Sequence, residues 1–122
     1  MVYESERIIA FLDKYPVTRG HTLVCPRDHY VTIMETPDDL LYDLIRVVKA
    51  VARAQVAALG ARGVRVVQNN GSAAGQVIFH LHFHVIPFYE GGRVGRTELS
   101  HEEGVEVSAI LSRELGKIMP RS

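Results

Sequence analysis

The chain has 122 residues, 47% hydrophobic and 23% charged, with 14 basic side chains balanced by 14 acidic ones. That length holds one domain with a real core rather than two, and the composition excludes disorder as the main state. Zero formal charge argues against broad electrostatic binding to duplex nucleic acid or to an anionic membrane.

Met1-Val2-Tyr3-Glu4-Ser5 has no apolar run behind a basic one, so no secretory signal is visible. No stretch approaches the roughly 20 apolar residues that span a bilayer, and a soluble cytoplasmic protein is expected. Residues 2–3 and 7–12 are short strand-like runs around Glu4-Ser5-Glu6 and predict a hairpin. Residues 15–20 are punctuated like a loop. Residues 22–25 form a compact apolar run, a buried strand closed by Pro26. Cys25 is the one cysteine. It allows no intrachain disulfide and no multi-cysteine zinc site, and its neighbours make it a small buried hydrophobe.

A helix is predicted from Pro37 to Leu59. Thr36 is placed to cap it, Pro37 suits its first position, and Asp38 and Asp39 favour the positive end of its dipole. Leu40, Leu41, Leu44, Ile45, Val48, Val51, Ala52, Val56 and Leu59 recur at helical spacing, and Gly60 is a natural stop. Residues 64–69 read as a strand, residues 70–76 as a polar glycine-containing loop, and residues 77–86 as the next strand. Residues 88–98 carry three glycines and read as a mobile surface segment. Ser100-His101-Glu102-Glu103 resembles a capping box for a last helix, with Gly104 weakening its first turn and allowing a start nearer Val105. Together these elements predict an α+β domain: an antiparallel sheet of about five strands, one long helix packed on it, and a C-terminal helix. Residues 1–98 make the domain, and residues 99–122 its C-terminal helical segment.

His80, His82 and His84 stand at every second position, with apolar Phe79, Leu81, Phe83 and Val85 between and around them. A strand sends alternate side chains to opposite faces, so the imidazoles are expected to project together and the apolar residues to pack. Three readings compete. The imidazoles are structural and hydrogen-bonded to neighbours, although each then needs a partner on one face. They hold a metal with help from His29 or Asp13, although residues two apart on a flat strand splay. Or they act on phosphorus: an imidazole nitrogen attacks a phosphoryl centre and forms a phosphoramidate that water cleaves. The last reading calls for backbone N–H groups and amides near the negative charge, which the loop from Asn69 to Gln76 offers.

At this point His80-Leu81-His82-Phe83-His84-Val85-Ile86 resembles the histidine triad family of nucleotide hydrolases and transferases, whose motif alternates histidine and apolar residues. Residues 69–76 resemble that family's phosphate loop. Residues 20–29 resemble its Gly-His-x-Leu-Val-x-Pro segment with an outlying histidine, and Phe11-Leu12-Asp13 its ribose-contacting strand. The likeness runs from about Arg7 to Pro87. It implies that His82 is the nucleophile at the α-phosphorus, that His84 contacts the phosphoryl group, and that His80 and His29 form a supporting hydrogen-bonded shell. It further implies that Asn69, Gly75 and Gln76 bind the phosphate region, that Asp13 accepts from the ribose hydroxyls, and that Ile9, Phe11 and Leu23 wall the base pocket. Phe11 reads equally well as ordinary core.

The resemblance implies a nucleotide substrate, a homodimer, no bound metal and no required cofactor, with a divalent cation entering as part of a substrate complex. The expected reaction is cleavage at the α-phosphate of a nucleoside phosphate derivative, such as a dinucleoside polyphosphate, releasing AMP or another monophosphate. A nucleoside phosphoramidase of AMP-lysine type and a non-catalytic purine-nucleotide-binding protein are the alternatives. Val77 departs from the pattern, standing where the family often has Ser or Thr. Arg93 and Arg96 are in reach of a polyphosphate tail, or are solvated loop charges.

Overall fold

The computed structural model describes residues 1–92 and 94–119. Five strands, β1 (Tyr3–Glu4), β2 (Ile8–Leu12), β3 (Thr22–Pro26), β4 (Gly63–Val67) and β5 (Phe83–Phe88), form one antiparallel sheet in the order β1-β2-β3-β5-β4. Helix α1 (Asp38–Leu59) lies between β3 and β4 in sequence, and helix α2 (His101–Ile118) ends the described chain.

Period-two alternation gives this sheet two unlike faces. Ala10, Val24 and Phe83 are in register across β2, β3 and β5, and all three are buried in one core with Leu44, Val48 and Val51 of α1. The neighbouring row, Phe11, Leu23 and His84, points to the opposite face and is only half-buried. The helix therefore covers one face of the sheet and leaves the other open. Val107, Leu111 and Leu115 of α2 close the same core from the side of α1. No described helix is long and apolar enough to cross a membrane.

Several local expectations are corrected. Thr36 does not cap α1; Pro37 holds that position without a side-chain bond. The Thr36 hydroxyl donates to the Thr32 carbonyl and closes a short 3-10 turn, Ile33–Glu35, which carries its own Thr32/Glu35 capping box. Ile45 and Val56 are half-exposed, while Val47, Ala50 and Ala54 are buried in their place. The reason is α2: a helix packed on two sides buries a wider arc, rotated from the one a single sheet would cover. Gly60 ends α1 as expected, at φ +76°. Helix α2 starts at His101, capped by Ser100 accepting from the Glu103 N–H. Gly104 does not delay it, because Leu99 folds back over that glycine, where a Cβ would stand 3.3 Å from its side chain.

The largest correction concerns the histidine segment. Strand β5 begins at Phe83 rather than at residue 77, so His80 and His82 precede it. Val77 and Phe79 are exposed, while Leu81 is fully buried. The Leu81 N–H donates to the Tyr30 carbonyl at 2.6 Å, so this stretch is tied to the segment after β3 and joins the sheet late.

Gly20 is the most closely packed of the described glycines. At φ +93° its missing Cβ would lie 2.5 Å from Leu59 Cδ1. Gly20→Ala combines left-handed strain with overpacking, and chemical denaturation is expected to show a loss of about 2–3 kcal/mol.

Candidate active site

Two histidines meet on the open face. His84 projects from β5 opposite Leu23 of β3. His82 stands just before the strand, its ring centroid 5.0 Å from that of His84 and its plane nearly perpendicular.

Their proton positions follow from a chain of fixed partners. The Val17 backbone N–H can only donate, and it lies 3.0 Å from His21 Nδ1, which must therefore accept. Neutral His21 then carries its proton on Nε2, which is 3.0 Å from His84 Nδ1. His84 accepts there and presents Nε2–H. His82 is set the other way: its Nδ1 lies 2.7 Å from the His80 carbonyl, which can only accept, so Nδ1 carries the proton and Nε2 keeps its lone pair. One imidazole offers a lone pair and its neighbour offers an N–H, the combination that attack on a phosphoryl group and stabilisation of its oxygens require.

His21 is the site residue that received no role from sequence. It is fully buried. The signal was present: residues 21, 23 and 25 alternate, and the resemblance had already given Leu23 as a wall of the base pocket. Burial lowers its pKa to about 4, with Asp13 opposing and His84 and Arg96 reinforcing. The His84 pKa is also lowered, chiefly by burial and next by His82.

His80 and His29 form a second pair, with Nδ1 atoms 3.1 Å apart. His80 Nε2 donates to the Pro26 carbonyl at 2.8 Å, so its Nδ1 accepts from His29. Burial alternates through the motif, with His80, His82 and His84 half-buried and Leu81, Phe83 and Val85 buried, while His80 pairs with His29 and His82 with His84.

The loop after β4 is held by its own side chains. Gln76 is buried, accepts from the Gly71 N–H at 2.7 Å, and donates to the Val31 and Ile78 carbonyls at 2.7 and 3.2 Å. Its amide therefore closes the loop rather than standing free as a phosphate donor. Asn69 lies against Gly75, its amide nitrogen 3.9 Å from where a Cβ there would stand, and Gly75 turns the chain at φ +94°. Asp13 sits beside His21, with 3.6 Å between Oδ2 and Nε2. Its Oδ1 accepts from the Tyr15 N–H at 2.8 Å and its Oδ2 from Arg96 at 3.2 Å. Arg96 also donates to the Tyr15 carbonyl. It is thereby fixed beside Asp13, whereas Arg93 lies outside the described residues. Ile9, Phe11 and Leu23 are half-buried on the open face. A cavity of about 490 Å³ flanks Phe11 and is lined also by Lys14, Leu99, His101 and Val105; of the candidate site residues it touches Phe11 alone, so it lies apart from the His82–His84 pair.

Among the described residues, Asp13, His21 and His84 bring potential metal-ligating atoms within 4.8 Å of one another. The donor set suits a divalent cation, but the Arg96 guanidinium on Asp13 opposes one, and His21 Nδ1 is already engaged by Val17.

Because folding lowers the His21 pKa, the unfolded chain binds the extra proton first as pH drops. Stability is therefore full above pH 6.5 and declines towards about pH 4, by about 3 kcal/mol in the limit at ~1.4 kcal/mol per pH unit. Denaturation series across that range should show the decline in the wild type and a flatter profile in His21→Asn.

A model of the HIT domain matches residues 1–91. The adenylylsulfatase HINT3 of Arabidopsis thaliana is 41% identical over 70% of this chain and 44% of its own. An uncharacterised HIT-like protein of Saccharolobus solfataricus is 47% identical over 71% of this chain and 63% of its own, so the chain spans just under two thirds of that relative. The crystal structure of a hypothetical histidine triad nucleotide-binding protein from Sulfolobus tokodaii superimposes with a TM-score of 0.90 at 40% identity, covering 96% of this chain and 83% of that one. A zinc-bound histidine triad family protein from Mycobacterium smegmatis gives 0.84 at 35% identity, over 96% and 84%. With the domain model covering its sheet, its loop and all five site histidines, the chain belongs to the HIT domain family.

Proposed function

We propose that the protein is a nucleotide hydrolase or transferase that cleaves at the α-phosphate of a nucleoside phosphate derivative through a nucleotidyl-His82 intermediate. The observation that carries this reading is the opposed pair of tautomers, a free lone pair on His82 Nε2 beside an N–H on His84. In the first step His82 Nε2 bonds to phosphorus, and the bond from phosphorus to the leaving group breaks with its electron pair. In the second, water attacks phosphorus, the P–N bond breaks, its electron pair returns to His82, and the water's proton goes to solvent. His84 Nε2–H is the donor for the phosphoryl oxygens. His80 holds the His82 tautomer through its carbonyl.

The base is assigned to Ile9, Phe11 and Leu23, and the ribose to Asp13. Both Asp13 oxygens already accept one bond, and each retains a lone pair for a hydroxyl. The phosphate region is assigned to the loop of Asn69, Gly75 and Gln76, with Gln76 acting through loop shape.

Val77 supplies no hydroxyl to assist departure. That favours leaving groups stable as oxyanions, such as phosphates, over amines that must gain a proton. The similarity to a plant adenylylsulfatase supports the same preference. A phosphoramidase is the second catalytic reading, favoured by the proton on His84. A nucleotide-binding protein without turnover is the third. Exposed Tyr42, Ile45 and Val56 on α1, beside Val66 on β4, support a homodimer through that face.

AMP release from a diadenosine polyphosphate, adenylyl sulfate and an AMP-lysine conjugate tests all three readings. His82→Ala should lower turnover at least about 1,000-fold while keeping AMP affinity within a few-fold. Unchanged turnover in that variant removes the covalent step, and a wild type inert on the whole panel leaves the binding protein.

A further inference from the structure

We infer that Gln55, buried in α1 on the helix side of the sheet, is the positioning residue that sets the His21–His84 contact on the other side. The inference rests on the covalent reading above for its effect on rate, but not for its effect on structure.

Gln55 is fully buried within an otherwise apolar helix face. Its Nε2 donates to two backbone carbonyls, Gly20 and Val85, each at 3.0 Å. Gly20 immediately precedes His21, and Val85 immediately follows His84. One amide group thus joins the carbonyl of the peptide that leads into His21 to the carbonyl of the residue next after His84, and the imidazoles of those two histidines meet at 3.0 Å. Its Oε1 is the one buried side-chain polar atom without a partner among the described residues. A glutamine kept in a core with one end unsatisfied is costly, and packing alone does not account for it.

The need for such a clamp follows from the strand register. Thr22 pairs with Val85, so the ladder continued two steps sets Gly20 opposite Pro87. Proline has no N–H to give, and the β3–β5 ladder stops where the histidines need it. Side chains take over: the Thr18 hydroxyl donates to the Pro87 carbonyl, the Thr22 hydroxyl to the Gly20 carbonyl at 2.8 Å, and Gln55 spans both strands. Gln55 is the one of these that ties the carbonyl before His21 to the carbonyl after His84. Without it the separation of the two rings is free to drift, His84 is no longer held to Nε2–H, and a fraction of the protein presents the wrong tautomer.

Gln55→Met keeps length and volume and removes both donors, along with the unpaired acceptor. Imidazole nitrogen NMR shifts report the tautomers directly, and steady-state AMP release from adenylyl sulfate or a diadenosine polyphosphate reports turnover. The expected result is a folded variant in which His84 becomes a mixture of tautomers, kcat falls about tenfold and KM stays within about twofold. Gln55→Asn, which keeps the amide but is too short to span both carbonyls, serves if the Met variant does not fold, with the same result expected. Single tautomers retained with kcat within about twofold of wild type would overturn the proposal. So would a fall in kcat with the tautomers unchanged, since the loss would then arise elsewhere. A wild type that turns over no nucleotide defeats the catalytic reading alone, and the NMR shifts still decide whether Gln55 orders the pair.

Discussion

A backbone N–H cannot accept a proton, and the chemistry of the cleft descends from that restriction at Val17. Its amide enters His21 Nδ1, which obliges His21 to donate from Nε2 and His84 to accept at Nδ1. The position of the proton on His84 is therefore determined two hydrogen bonds away, by a group that does not titrate. Burial of His21 reinforces the arrangement, because an imidazolium there would have to give up the Val17 bond as well as its hydration. The His82 tautomer is set independently by the His80 carbonyl. Two adjacent rings of the same chemical type thus acquire opposite roles from the backbone around them.

The sheet supports this by being unequal on its two faces. One row of side chains meets α1 and α2 in a single core, and the next row over lines the cleft. Moving the register by one residue would exchange the rows and bury His84. The fold's rigidity and the placement of the histidines are in that sense one property.

Much of this was legible before any coordinates. Alternation at residues 80, 82 and 84 singled out the histidine segment, Pro37 and Gly60 bracketed the long helix, and residues 70–76 were recognisable as a loop. The failures share a cause, which is that local pattern does not report long-range bonds. Strict alternation suggested a strand from residue 77, but the Leu81 N–H is taken by Tyr30, far away in sequence. Nor did the sequence signal the bonds that Gln76 makes to Gly71 and Val31. Ile45 and Val56 matched the helix stripe, but the position of α2 rotated the buried arc. His21 could have been found by counting in twos from Leu23. Gln55 could not, because nothing in an amphipathic helix tells a solvated glutamine from one that reaches through to two carbonyls.

Residues 95–99 cross the loop that bears Asp13. Gly95 N–H donates to the Val17 carbonyl, Leu99 N–H to the Lys14 carbonyl, and Arg96 reaches Asp13. During synthesis the chain emerges from its N-terminal end, so all five site histidines exist before this strap does. A nascent chain reaching only residue 91 would carry all five rings with the Asp13 carboxylate still lacking its guanidinium partner. Synthesis therefore completes the histidine cluster first and the brace on Asp13 last.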